Sequence, residues 1–163
     1  MERARARLGA TASRQRADRG TARIHGLAEA KLAELLNGRE RPRMTDVFTE
    51  LQRYCQERRV PCPSRSSVYN ALGRVPVREF EVASLPEEVR AALYNFGDGD
   101  GDGNPRTLPG DQLAFYCFNY GGPRALSFAA GLPWLCLARA AERRGFRPKS
   151  RALLEAVMRV RSI

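Results

Sequence analysis

A chain of 163 residues, 43% of them hydrophobic, can close one core of ordinary size or two small ones, which excludes wholesale disorder. Lys and Arg number 28 against 18 Asp and Glu, a net +10 that favours polyanionic partners: nucleic acid first, an anionic membrane surface second. Only Lys31 and Lys149 are lysines, so an arginine-rich compositional bias accounts for part of that excess.

The charge is uneven. Residues 1–43 hold 11 basic and 5 acidic groups, residues 44–97 hold 7 of each, residues 98–122 hold 1 and 4, and residues 123–163 hold 9 and 2. Positive charge therefore collects at the two ends. Residues 1–20 nearly lack large apolar side chains, the pattern of a basic mobile arm that either tracks phosphates or stays a solvated tail. Helical spacing predicts a helix over 21–37, with Ile24, Leu27, Ala28, Lys31, Leu32 and Leu35 on one side and Asn37-Gly38 as its stop. Arg39–Arg43, containing Arg41, is a basic linker.

Residues 44–75 predict a pair of helices. In the first, Val47, Leu51 and Tyr54 make the apolar stripe, flanked by Phe48 and Cys55, with Thr45 or Asp46 as N-cap. Pro61 and Pro63 end it near Arg58–Arg59. The second starts at Ser64 or Ser66 and ends near Gly73–Arg74. Val68, Ala71, Leu72 and Val75 share one side; Ser66, Asn70, Gly73 and Arg74 point the other way, with Ser67 and Tyr69 at the borders. That outer face offers hydroxyls, an amide and a guanidinium without an acid, a set suited to base edges and phosphates. The outer face of the first helix carries Asp46, Glu50 and Glu57 and suits them less.

The run Ser64, Arg65, Ser67, Val68, Tyr69, Leu72 resembles the Ser-Arg-x-[ST]-[VI]-Tyr-x-x-Leu pattern common in the recognition-helix region of bacterial helix-turn-helix and winged-helix DNA-binding regulators. The resemblance spans about residues 44–75. It implies a major-groove helix over Ser66–Arg74, with the serines and Arg65 near its phosphate-facing start; the outer face of that helix would turn Ser66, Ser67, Asn70 and Arg74 to the bases. Ser64, Arg65 and Tyr69 would then meet the DNA backbone, helped by Arg41 and Arg43. The segment Val77–Val82 could supply a strand of a wing, but no two-stranded hairpin is evident.

Ser84-Leu-Pro-Glu87 has the form of a capping box and predicts a helix through Asn95, with Val89, Ala92, Leu93 and Phe96 on one face. An acidic, glycine-rich linker fills 97–109. In it Asp98, Asp100 and Asp102 open a calcium-loop pattern, D-x-D-x-D-G, but the twelfth position, which needs a bidentate Glu, holds Pro109. A flexible acidic loop is the preferred reading, and no cofactor is expected. Further helices are predicted over 111–120, 123–130 and 133–144. Trp134, Leu137, Ala138 and Ala141 form the inner face of the third. A last helix, capped by Ser150, would turn Leu153, Ala156, Val157 and Val160 inward.

Residues 57–75 and 142–160 match at seven of nineteen positions without gaps. Duplication and shared compositional bias both explain this, and the abundance of Arg and Ala favours bias. The second segment carries Arg143, Arg144, Arg147, Lys149 and Arg151, a denser phosphate patch than the first.

The four cysteines lack a C-x-x-C pair and His25 is the only histidine, so free thiols in a reducing cytoplasm are expected rather than zinc. No nucleophile–base pattern or preorganised carboxylate cluster marks an enzyme. The longest apolar run, residues 125–138, is broken by Gly131 and Pro133 and too short for a bilayer. The expectation is a mainly α, cytoplasmic protein with a helix-turn-helix domain over 21–96, winged or not, and a helical C-terminal domain over 110–163. It would bind double-stranded DNA, as a small regulator or as an antitoxin joining operator binding to toxin neutralisation. The C-terminal half would serve a homo-oligomer or a protein partner. The alternatives are a protein-interaction adaptor using the aromatic stretch 115–134, or RNA binding.

Overall fold

Two runs of apolar side chains, meeting near Val75–Val77, close two separate cores. The computed structural model describes residues 24–94, 96 and 106–161. The basic arm over 1–20 and Asp98, Asp100 and Asp102 lie outside them. The fold is mainly α: helices α1 (Gly26–Leu36), α2 (Met44–Arg58), α3 (Arg65–Leu72), α4 (Glu87–Ala92), α5 (Gly110–Tyr120), α6 (Pro123–Ala130), α7 (Trp134–Glu142) and α8 (Pro148–Val160). Strands β1 (Glu79–Glu81) and β2 (Thr107–Pro109) pair antiparallel, with Phe80 opposite Leu108.

The first core is built by α1, α2 and α3. Ala28, Leu32 and Leu36 meet Val47, Leu51 and Cys55, and Val68, Ala71 and Val75 close the third side. Leu32 and Leu51 are fully buried, each contributing about 1.5–3 kcal/mol. Cys55, not Tyr54, completes the α2 stripe, and Tyr54 flanks it half-buried. A four-residue step from Leu51 keeps Cys55 on the Val47 line, and the larger ring is left at the edge beneath Lys31 and Arg58. Leu27 is 47% exposed, because α1 starts only at Gly26 and its buried line runs through Ala28. Helix α2 begins after Arg43 without a side-chain cap; Thr45 Oγ1 turns to Asp46 Oδ1 at 3.3 Å instead. It ends on Arg59, which takes a left-handed φ of 53° and donates its N–H to the Cys55 and Gln56 carbonyls.

The second core is larger. It gathers Val82, Leu85, Val89 and Leu93 with Leu113, Cys117, Cys136, Leu137 and Leu154. Helix α4, expected with the N-terminal domain, thus packs with the C-terminal helices. The linker expected over 97–109 ends in strand β2, whose Leu108 is buried. Its partner strand lies before α4, so the two strands are not a hairpin. Gly110 permits the crossing of β2 into α5: a Cβ there would touch Cys136 Sγ and lie 3.0 Å from the Arg78 carbonyl oxygen and from Phe80 Cε2.

Four local expectations change. Ser84 does not cap α4; its Oγ donates to the Glu81 carbonyl at 2.8 Å within a short 3-10 turn, and α4 starts after Pro86. Ser150 lies inside α8, whose first turn begins at Pro148. The buried line of α8 runs through Leu154 with Val157 and Met158 beside it, leaving Leu153 and Val160 exposed at 41% and 72%. On α7 the buried line is Cys136, Leu137 and Ala140, with Trp134, Ala138 and Ala141 at its margins.

Candidate nucleic-acid interface

Helix α3 is held from both ends. Ser64 Oγ accepts the Ser67 N–H at 3.1 Å and lies 2.9 Å from Ser67 Oγ. That cap satisfies a donor with no partner inside the helix. At the other end the Leu72 carbonyl accepts from Arg139 Nη2 at 2.6 Å. Beneath, Val68 and Ala71 are fixed in the first core. The turn from α2 to α3, residues 59–64, contains Pro61 and Pro63 and is longer than the ~3–4 residues of a compact helix-turn-helix turn.

Ser66, Asn70 and Arg74 all stand exposed, and among the described residues their side chains have no partner. Tyr69 is 56% exposed beside them. Ser67 differs from the expectation: it is half-buried and its hydroxyl is shared with the cap. Arg65 lies over the Phe48 ring, 5.1 Å from its centroid, which fixes the stem of the guanidinium near the start of the helix. No acidic residue occupies the first turn of α3. The helix therefore presents an acid-free face, whereas on α2 Glu50 and Glu57 pair with Arg53.

The C-terminal basic cluster is only partly available. Arg143 pairs with Asp111 at 2.6 Å. Arg147 lies over the Tyr120 ring at 4.8 Å, and Arg151 Nη2 donates to the Ala141 carbonyl at 2.5 Å. Arg144 and Lys149 are exposed without a partner among the described residues. Asn119, buried at 5%, anchors this segment: its Oδ1 accepts the Arg147 N–H at 3.0 Å and its Nδ2 faces the Gly145 carbonyl at 3.5 Å. A shallow depression lined by Gly73, Val75, Arg139 and Arg143 connects this region to the end of α3.

Arg41 lies over the Trp134 ring at 5.8 Å, and with Arg43 it lines a cleft between the two cores. Arg139 and Arg161 line the same cleft. Sequence reasoning passed over both, since each follows apolar helical residues and nothing local marks it. The aromatic stretch 115–134 largely turns inward: Phe118 is buried, and Phe115 packs edge-on against Tyr116 and Phe146. Among the described residues, no three His, Cys, Asp or Glu side chains gather to hold a metal ion, and no helix is long and apolar enough to cross a membrane. No protein-family model, curated protein or solved structure matches the chain.

Proposed function

We propose that the chain is a sequence-specific double-stranded DNA-binding protein, of the small transcriptional-regulator kind, with α3 as its reading helix. One observation carries this reading: Ser66, Asn70 and Arg74 form an exposed, acid-free, unpartnered face on a helix fixed at both ends. An Asn amide suits the N6 and N7 edge of adenine, and a guanidinium suits the O6 and N7 edge of guanine. Arg65 and Tyr69 stand beside that face for backbone phosphates, and Arg144 and Lys149 add free positive charge. Residues 44–97 are electrically neutral, so specificity and affinity come from different parts of the chain. The helical C-terminal half then serves self-association or a protein partner, the layout that an antitoxin would also use.

Selection of duplexes from a random pool, followed by fluorescence anisotropy, tests the reading. A recovered consensus and an affinity that falls steeply with salt support it. Binding that ignores salt, an unselected pool, or a structured RNA that outcompetes the duplex refutes it.

A further inference from the structure

Two of the four thiols belong to one turn. Cys55 completes the buried line of α2, and Cys62 stands in the segment between α2 and α3. They differ in access: Cys55 is 1% exposed within the first core, whereas Cys62 is exposed. Cys117 and Cys136 are both buried in the second core.

The turn carries Cys62 back towards Cys55. Arg59, in its left-handed conformation, reverses the chain. The Arg59 and Val60 N–H groups both bond the Cys55 carbonyl, Val60 at 3.0 Å, the closure that a left-handed residue makes at a helix end. Val60 packs against the first core, and two residues beyond Cys62 the Ser64 cap anchors α3. Cys62 is therefore pinned between two fixed points. Pro61 and Pro63 on either side remove much of the backbone freedom left to it. Its Sγ lies 3.6 Å from the Pro63 carbonyl oxygen. The two thiols are neighbours: burial first, then the charge of Cys62 and a bond to its thiol, raise the pKa of Cys55. The buried thiol is thus the poorer first nucleophile, and the exposed one is where an oxidant arrives.

We propose that Cys55 and Cys62 form an oxidation site, an exposed thiol with a buried resolving partner, which a hydroperoxide closes into a reversible intramolecular disulfide. The Cys62 thiolate attacks a peroxide oxygen and the O–O bond breaks. The leaving hydroxide or alkoxide takes up the proton that Cys62 released, and Cys62 becomes a sulfenic acid. The Cys55 sulfur then attacks the Cys62 sulfur. The S–S bond forms, the S–O bond breaks, and the hydroxide set free leaves as water with the Cys55 proton. The two thiols together give up two electrons, and these reduce the hydroperoxide to water and an alcohol, or to two waters from hydrogen peroxide. The chain from Cys55 to Cys62 becomes a closed loop, so oxidation fixes the turn that sets the start of α3. The pair is defined by this turn alone and does not depend on α3 reading DNA.

The full chain is treated with hydrogen peroxide, the remaining thiols are alkylated after unfolding, and the product is read by intact mass and tryptic map. Trypsin cuts after Arg53, Arg58, Arg59 and Arg65, so a Cys55–Cys62 disulfide joins peptides 54–58 and 60–65. The linked pair is expected at least ~10-fold above Cys62 sulfinic acid, and is expected to vanish on reduction with dithiothreitol. Cys117 and Cys136 are expected to stay reduced. Cys62→Ser, at an exposed site, is expected to slow the oxidation of Cys55 ~10-fold or more. Cys55→Ser is expected to divert the same reaction to Cys62 sulfinic acid; should that variant fail to fold, the map of the parent chain and the Cys62→Ser rate decide. A disulfide joining Cys62 of two chains, Cys62 sulfinic acid with Cys55 still reduced, thiols left unreacted, or Cys55 oxidised equally fast in Cys62→Ser overturns the proposal.

Discussion

Arg139 Nη2 donates to the Leu72 carbonyl at 2.6 Å, so a charged group on α7 closes the last turn of α3. The Leu72 carbonyl belongs to the end of the helix, where carbonyls lack intrahelical donors and a positive charge is favoured. The bond therefore ties the second core to the helix that carries the proposed reading face. Replacing Arg139 by Met keeps the aliphatic packing and removes the bond. The expected cost is about 1.5–3 kcal/mol, read as a lower urea midpoint with an unchanged slope. Faster amide exchange confined to the end of α3 would identify the cause; an unchanged midpoint would show that water replaces the guanidinium.

Asn119 is the counterpart on the other side of the second core. It is buried on α5 and joins the turn before α8 through the Arg147 N–H and the Gly145 carbonyl. Asn119→Leu keeps the branched shape, in a larger volume, but removes both hydrogen-bonding atoms. A loss of about 1–3 kcal/mol in urea unfolding is expected, since it leaves those backbone groups without their side-chain partner. A neutral result would mean that the turn is exposed enough for water to satisfy them.

The helices were legible in the sequence wherever spacing and breakers agreed. Asn37-Gly38 ended α1, Pro61 and Pro63 separated α2 from α3, and Gly122-Pro123 opened α6. The choice of buried face was harder. In α8 the adjacent Leu153 and Leu154 begin two apolar lines about 100° apart, and both are self-consistent on the helix alone. Packing selects the Leu154 line, and the half-buried Arg161 stands one turn beyond Val157 on that side. A charged residue argues against a buried line, so the pattern misled. Strand β2 has only three residues and exists through its pairing with β1 across α4, a non-local contact that carries no periodicity. The outward face of α3 was legible because Ser64 and the apolar Val68 and Ala71 fix its rotation. The partners of Arg139, Arg143 and Arg161 were not, because each comes from a different element.

The thiols make a pH prediction. Burial raises Cys117 to about 12, and Cys136, also chiefly by burial, to about 11, from an ordinary value of 9.0. A folded pKa above the unfolded one means that the stabilising protonated thiol is fully present below pH ~9 and is progressively lost as pH rises towards the folded value. Each such thiol steepens the decline by up to about 1.4 kcal/mol per pH unit. Cys117→Ala should therefore fall less steeply than the parent chain between pH 9 and 11, whatever its own baseline. At neutral pH a thiol reagent should modify the exposed Cys62 first, with Cys55, Cys117 and Cys136 reacting only on unfolding. Equal slopes, or four equally fast thiols, would contradict the burial.

The sharpest division falls between Asn70 and Arg74 on one side and Arg144 and Lys149 on the other. All four are exposed, and none has a side-chain partner among the described residues. They differ in position: Asn70 and Arg74 project from α3 and the residue pair after it, Arg144 and Lys149 from the turn into α8 and its first turn. A base contact made through two hydrogen bonds discriminates by about 1–3 kcal/mol, whereas a phosphate contact adds affinity to every sequence alike. Asn70→Ala or Arg74→Ala is thus expected to flatten the preference at one or two base positions of the selected duplex, with a small change on random DNA. Arg144→Ala with Lys149→Ala is expected to weaken both duplexes equally and to make the salt slope shallower. The comparison needs both duplexes and at least two salt concentrations. Should the C-terminal pair change the preference, or the α3 pair change only the salt slope, the roles assigned to the two regions would be reversed. Should neither pair affect binding, α3 would be a structural helix and the surface that meets DNA would lie elsewhere.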